Sequence, residues 1–236
     1  MLRALPLALL LAAAPATERR AERELMVLTV ANMAEAAGVR EARRLDPAVL
    51  EAMGRVPRHL LVPEAVRAHA YRNTALPIGH GQTISQPYIV ALMTQLLKVE
   101  PGHSVLEVGT GSGYQAAVLA EMGAQVRSIE IVEPLAREAA ARLAELGYGR
   151  VAVRAGDGYA GWPEAAPFDR IIVTAGAPHL PAPLVAQLKP GGRMAIPIRR
   201  GRDGEMLVLV EKDRKGRVRS RDIIPVRFVP LVRAPR

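Results

Sequence analysis

The sequence predicts an α/β fold: a mostly parallel sheet with helices on both faces, an antiparallel C-terminal hairpin and an N-terminal helical extension. Three observations predict it. From residue 104 onward, apolar runs of strand length alternate with helix-length segments, the pattern of parallel strands joined by crossover helices. The first of these strands runs into a glycine-rich turn, Gly109-Thr-Gly111-Ser-Gly113, that opens a helix. Near the end, two alternating segments flank the turn Asp213-Arg-Lys-Gly-Arg217 and read as a hairpin. The chain has 236 residues, of which 50% are hydrophobic and 23% charged, so it can bury a core. That length suits one α/β domain over 17–236 with a short extension.

Residues 1–16 carry Arg3 ahead of an apolar run that ends in small residues. This leader is similar to a secretory signal and too short to span a membrane. A start codon placed upstream of the true one, or a disordered tail, accounts for it as well. Residues 17–102 form a helical N-terminal part. A helix is expected over 18–37, with Leu25, Leu28, Val30, Met33 and Ala36 as its apolar face and Gly38 as its stop. Asp46 caps a short helix that opens at Pro47 and runs to Met53. Pro63 and Glu64 start another helix towards Tyr71. Residues 73–86 lack periodicity and are rich in glycine, proline and polar residues, so they read as a loop, the element that most often carries function. Pro87 begins the next helix.

The α/β core occupies 103–236. Strands are expected at 104–108, 125–131, 151–154, 169–173 and 193–198, with helices at 114–122, 134–146 and 183–188. The hairpin arms are 206–212 and 218–224.

Composition narrows the chemistry. There is no cysteine, which excludes disulfides, thiolate metal sites and a cysteine nucleophile. The five histidines never fall at the i, i+4 helical spacing, so no metal site is expected. The net charge of +9 is concentrated at the end of the chain, where residues 190–236 carry thirteen basic and five acidic residues. Such an excess raises the question of nucleic acid, but only Phe228 supplies an aromatic ring there, which argues against that partner.

The glycine turn lacks a glycine at Tyr114 and is followed by no Gly-Lys-Ser/Thr, so neither the dinucleotide nor the phosphate-loop pattern is met. A nucleoside without a pyrophosphate suits it, and S-adenosyl-L-methionine is one. Glu107, at the end of the strand, suits that molecule's cationic tail. Glu130, 23 positions later at the end of the second strand, suits the ribose hydroxyls. Asp157, between Gly156 and Gly158 after the third strand, suits the adenine amino group. Each of these is also an ordinary strand-end or turn residue; their alignment on one sheet edge is the stronger signal. Thr83 and Ser85 precede a helix N-terminus, whose dipole and N–H groups favour a carboxylate. Ser85 as a plain helix cap accounts for the residues equally well. Neither Ser85 nor Ser112 sits in the G-x-S-x-G frame of a hydrolase nucleophile.

The run from Leu76 to Pro87, Val105-Leu-Glu-Val-Gly-Thr-Gly-Ser-Gly-Tyr-Gln115, Gly156-Asp-Gly158, Ala166-Pro-Phe-Asp-Arg-Ile-Ile-Val-Thr174, Leu188-Lys-Pro-Gly-Gly192 and Val226-Arg-Phe-Val-Pro-Leu231 together resemble the protein-L-isoaspartate O-methyltransferases. The resemblance runs in order from about residue 25 to 232, and departs from the family pattern at Gly176 and His179. It implies a Rossmann-like class I methyltransferase sheet, S-adenosyl-L-methionine as methyl donor with S-adenosyl-L-homocysteine as product, and isoaspartyl proteins and peptides as partners. Ser85 is then the active-site hydroxyl. Gln82, Thr83, Ile84 and Ser85 would face the cofactor together with Glu107, Gly109, Gly111, Glu130, Asp157 and Gly158. Ile78, Gly79, Thr83 and Ser85 would meet the peptide. No metal and no stable membrane association are expected. The working location is expected to be the cytoplasm, where the methyl donor is made, with export as the alternative that the leader raises. Two other functions stay open on residues alone: an RNA methyltransferase and a non-catalytic nucleoside-binding module.

Overall fold

The computed structural model describes residues 19–201 and 204–233. The leader at residues 1–16 lies outside them. In chain order the N-terminal part contains α1 (Arg20–Ala37), α2 (Pro47–Arg55), a single 3-10 turn (Arg58–Leu61), α3 (Glu64–Arg67), β1 (Leu76–Gly79), β2 (Gln82–Ile84) and α4 (Pro87–Leu97). The alternating part comes next: β3 (Ser104–Val108), α5 (Tyr114–Glu121), β4 (Gln125–Glu130), α6 (Glu133–Glu145), β5 (Ala152–Ala155), β6 (Phe168–Val173), α7 (Ala182–Gln187), β7 (Leu188–Arg200), β8 (Gly204–Lys212) and β9 (Val218–Val226).

Seven strands form one sheet in the order β5-β4-β3-β6-β7-β8-β9. β5 to β7 run parallel, and β8 and β9 return antiparallel, as expected for the C-terminal hairpin. The chain winds outward from β3 through β4 to β5, then crosses back to place β6 on the other side of β3. That reversal is the point where an open α/β sheet leaves a crevice at its C-terminal edge.

Alternation along the strands separates two apolar layers. Val105, Val126, Ile172, Ala195 and Leu209 face the side covered by the N-terminal helices, α5 and α6. Leu106, Ile129, Ile171, Met194 and Val208 face the other side, which is covered more thinly by Leu184 of α7 and by Trp162 and Leu180 in connecting segments. The N-terminal helices thus share one core with the sheet.

Three expectations are corrected. The buried row of α1 is Arg23, Met26, Val30 and Ala34, whereas Leu25 and Leu28 are 64% and 62% exposed. Spacing by i+3 and i+4 does connect these buried positions, but the row contains an arginine and an alanine, so side-chain apolarity pointed to the wrong face. Small Ala34 permits close approach, and the long stem of Arg23 packs as hydrocarbon. Next, α3 stops at Arg67 instead of continuing to Tyr71. The chain turns there and buries Ala70 and Tyr71, whose hydroxyl bonds His59 Nδ1 at 2.6 Å. Finally, residues 73–86 are not a bare loop. Leu76–Gly79 and Gln82–Ile84 pair as a hairpin, and the turn at Gly79, His80 and Gly81 holds all three residues at positive φ. Strands this short show no periodicity that a sequence could display.

The basic C-terminal part is extensively paired. Arg193, Arg200, Arg217 and Arg221 meet Glu211, Asp222, Asp213 and Glu41, and Lys212 Nζ donates to the carbonyls of Val185 and Leu188. Among the described residues no helix is long and apolar enough to cross a membrane, and no cluster of three or more His, Asp or Glu could hold a metal ion.

The packing of α1 makes a clean test. Met26→Ala should cost about 2–5 kcal/mol of unfolding free energy, as for other large-to-small core changes. Leu25→Gln should stay within about 0.5 kcal/mol of the parent. Urea denaturation measures both, and equal losses would mean that the helix presents a different face.

Candidate active site

The crevice is built on backbone that only glycine allows. Gly109, Gly111 and Gly113 have φ of 98°, 51° and 86°, which turn the chain sharply from β3 into α5. A Cβ on Gly109 would run into Thr174 Oγ1, and one on Gly158 into Val108 Cγ1. Thr174 Oγ1 donates to Gly109 O at 2.6 Å, and Gly109 N donates to Ile129 O at 2.7 Å. The ends of β3, β4 and β6 are therefore stitched together just below the turn.

Two of the three predicted acids are held firmly. Glu130 is buried at the end of β4, where Oε2 accepts from Gly111 N at 2.8 Å and Oε1 from Val132 N at 3.0 Å. Each oxygen keeps a lone pair, and the side chain lines the crevice. Glu107 lies deeper, with 0% exposure. Ser128 Oγ donates to its Oε2 in a short hydrogen bond, while Oε1 has no partner. Burial pushes this carboxyl up to about 8; the Ser128 bond opposes the shift and the charge of Glu130 adds to it. Glu107 is thus placed beneath the turn and not on the crevice wall. Asp157 accepts from Tyr159 N at 2.8 Å and shapes the turn that brings Gly158 to the wall.

Two adjoining hollows of about 410 and 530 Å³ make up the crevice. Thr83, Ile84, Ser85, Met93, Ser112 and Tyr114 line the first, and Gln82, Ile129, Glu130, Gly158 and Leu231 the second, with Thr83, Gly109, Gly111 and Thr174 common to both. No Lys, Arg or His stands among the lining residues, and the one charged side chain is acidic. That lining offers no basic counter-charge to a pyrophosphate and fits a nucleoside that carries positive charge. A wider groove of about 1460 Å³ opens alongside, lined by Ser85, Gln86, Ile89 and the segment from Pro225 to Val229, and it too includes Thr83 and Thr174.

The remaining predicted residues sort by distance from this crevice. Ile78 is buried over the glycine turn, its Cδ1 at 3.3 Å from where a Cβ on Gly111 would stand. Gly79 is an exposed turn residue and lines none of the three hollows. Ser85 is not the helix cap. The N-cap of α4 is Gln86, and no side chain caps that end. The expected free N–H groups at this helix end are corrected too: Pro87 has none, Tyr88 N donates to Asn73 Oδ1 at 2.8 Å, and Ile89 N donates to Gln86 O.

Sequence reasoning missed Thr174, Tyr114 and the C-terminal segment. That segment returns over the sheet edge, with Gly176 N donating to Val229 O and Leu231 N to Gly176 O, both at 2.8 Å. Glu205 Oε2 accepts from Phe228 N at 2.8 Å. The Val226–Leu231 motif was the only available signal, and it carries no chemistry by itself.

The buried acid predicts a pH dependence. Between the ordinary value of 4.5 and about 8, Glu107 is ionised in the unfolded chain and protonated in the folded one. Its contribution therefore lowers stability as pH rises through that window and adds nothing below it. Glu107→Gln should melt progressively higher than the parent as pH is raised from 4.5 to 8, with the gap closing at the acid end. Parallel melting curves for the two proteins would place the shift elsewhere.

Comparison with known proteins agrees with this geometry. The profile of the protein-L-isoaspartate(D-aspartate) O-methyltransferase (PCMT) family matches residues 36–235. Protein-L-isoaspartate O-methyltransferase 1 of Cupriavidus necator is 58% identical over 208 residues, which are 88% of this chain and 80% of that protein. Protein-L-isoaspartate O-methyltransferase 2 of Syntrophobacter fumaroxidans is 65% identical over 187 residues, covering 79% of this chain and 76% of its own length. A solved protein-L-isoaspartate O-methyltransferase superposes with a TM-score of 0.77 at 27% identity; it covers 88% of this chain, which spans 65% of it, just under two thirds. A Plasmodium falciparum protein described as a protein-L-isoaspartate O-methyltransferase, solved in complex with S-adenosyl-L-homocysteine, gives a TM-score of 0.75 at 25% identity, over 90% of this chain and 99% of that one. By its sequence and its fold, the chain belongs to the protein-L-isoaspartate(D-aspartate) O-methyltransferase family.

Proposed function

We propose that this chain transfers a methyl group from S-adenosyl-L-methionine to the free α-carboxylate of L-isoaspartyl residues in damaged proteins and peptides, which starts their repair. One observation carries this beyond family membership. Thr83, Ser85 and Thr174 line both the first hollow and the open groove, so hydroxyl groups stand where donor and acceptor would meet.

S-adenosyl-L-methionine, when bound, supplies an electrophilic methyl group that an anionic oxygen accepts without a base. Everything else falls to the protein. Glu130 accepts hydrogen bonds from ribose hydroxyls with the lone pairs that Gly111 and Val132 leave free. Gly158 and Ile129 would wall the base, and Asp157 sets the turn that positions Gly158. Gly109 and Gly111 let main chain approach the ligand, and Gln82, Thr83 and Ile84 cover it from the hairpin. Glu107 acts through its buried charge: a cationic amino-acid tail above the turn favours its ionised form, and the acid in turn favours the cation. An isoaspartyl carboxylate is ionised at pH 7, so Ser85 has no proton to remove. Its hydroxyl donates to the carboxylate and aligns it, Thr83 assists, and closure of the groove by the C-terminal segment limits water. The methyl ester afterwards closes to a succinimide by attack of the next backbone nitrogen, with loss of methanol. Hydrolysis of that ring returns part of the material to normal aspartate.

Residues 17–236 are read as one compact domain that works in the cytoplasm. A periplasmic protein whose mature N-terminus lies near Thr17 would overturn that location. Labelled methyl transfer to an isoaspartyl peptide, the matched aspartyl peptide and an RNA pool tests the function itself. Label on the isoaspartyl peptide alone is expected, because only there is the carboxylate attached directly to Cα. Equal labelling of both peptides removes the repair function, and labelled RNA restores the nucleic-acid alternative.

Two substitutions separate the roles within the site. Glu130→Ala should weaken cofactor binding tenfold or more in calorimetric titration, since charge-assisted hydrogen bonds are worth about 1.5–3 kcal/mol. Ser85→Ala should lower turnover about ten- to a hundredfold and leave cofactor affinity nearly unchanged. Full turnover by Ser85→Ala would take the hydroxyl out of the reaction.

A further inference from the structure

Arg58 is the largest fully buried side chain of the described residues, with 0% exposure. It sits in the 3-10 turn Arg58–Leu61, far in sequence from any residue of the crevice. No carboxylate pairs with it among the described residues. Its Nε donates to Ala70 O and its Nη2 to Ser85 O, each at 2.7 Å. Its Cζ lies 4.6 Å from the centroid of the Tyr114 ring, and Nη1 has no hydrogen-bond partner. Burial lowers the guanidinium to about 10, so it stays charged at neutral pH.

A buried charge without a counter-charge is a costly way to fill space, and an apolar side chain of similar length would pack there with less desolvation. What the guanidinium adds is a rigid, planar fork that holds separate pieces of chain at once. One branch holds the carbonyl before Tyr71. The other holds the carbonyl of Ser85 itself, which orients the peptide plane between Ser85 and Gln86 and with it the direction of the Ser85 side chain. The same guanidinium lies over the ring of Tyr114, the first residue of α5 and part of the wall of the first hollow. Ser85 lacks the helix-cap bond that would otherwise fix this stretch.

We propose that Arg58 is a positioning residue for methyl transfer: through its bond to the Ser85 carbonyl and its stack on Tyr114 it sets where the Ser85 hydroxyl stands relative to the glycine turn. This rests on the proposed methylation of isoaspartyl carboxylates. Arg58 touches neither donor nor acceptor and acts only through Ser85 and Tyr114.

The test uses the full chain with S-adenosyl-L-methionine and an isoaspartyl peptide, in Arg58→Met, Arg58→Lys, Ser85→Ala and the double variant Arg58→Lys/Ser85→Ala. Turnover is divided by the number of cofactor-binding sites counted in calorimetric titration, which removes any unfolded fraction. Arg58→Met should lose about tenfold or more in kcat per site and raise the peptide KM, with cofactor Kd within about threefold of the parent. Arg58→Lys keeps the charge but not the fork, and should fall in between. In the double variant the two losses should be clearly less than multiplicative, because both act on one hydroxyl. A kcat per site within about twofold of the parent in Arg58→Met overturns the proposal. So do multiplicative losses in the double variant, or failure of both Arg58 variants to bind cofactor, which would make Arg58 a folding residue only. A parent chain inactive on the peptide fails the proposed function, and this inference with it; an active parent with unaffected variants fails the inference alone.

Discussion

Close packing of glycine main chain against side chains at the C-terminal ends of β3, β5 and β6 is the constraint on which the site depends. Gly109 lies against Thr174 with no room for a side chain, and Gly158 lies against Val108 in the same way. Hydrogen bonds then lock the approach: Thr174 Oγ1 to Gly109 O, Gly109 N to Ile129 O, and Gly111 N to the carboxylate of Glu130. Glu130 serves twice in this arrangement. It stiffens the glycine turn and still presents acceptor capacity to the crevice. In the proposed complex, structural and binding roles would be carried by different lone pairs of one side chain.

Charge is distributed to match the proposed ligands. Beneath the glycine turn lies Glu107, neutral when alone and readily ionised by an approaching cation. Behind Ser85 lies the guanidinium of Arg58, bonded to the Ser85 carbonyl. The lining between them carries no basic group to offset the charge of a phosphate. A positively charged nucleoside and a carboxylate would each be drawn to their own side of the same small gap, which is the arrangement a methyl transfer between them requires.

Part of the basic charge at the end of the chain has a structural role. Arg193 ties β7 to β8, Arg200 ties β7 to β9, Arg221 ties β9 to Glu41, and Lys212 caps carbonyls at the end of α7. After β9 the chain folds back over the sheet edge and contributes to both the hollow and the groove. Binding on either side of Thr83 and Thr174 therefore meets the same strap of chain.

How much was legible in the sequence differs from element to element. The alternation after residue 104, the glycine turn and the strand-end acids follow from local rules of periodicity and backbone freedom, and they were readable because each is encoded within a few residues. The family resemblance added the active-site role of Ser85 and the isoaspartyl acceptor. Other features depend on partners distant in the chain. The face that α1 buries was chosen by fit against α2 and α4, so Leu25 and Leu28 stay outside while Arg23 is buried. The hairpin of residues 76–84 exists because Leu76 and Ile78 find a core to enter, not because of any pattern of its own. The free N–H groups expected at α4 were already taken by Asn73 and Gln86. By itself the sequence determined the α/β architecture, the place of the crevice on the sheet and the chemical type of its ligand. Only the tertiary structure decided that Glu107 lies under the turn, that the C-terminal segment closes the site and that Arg58 holds Ser85, since burial and long-range hydrogen bonds come into being only when remote segments are packed together.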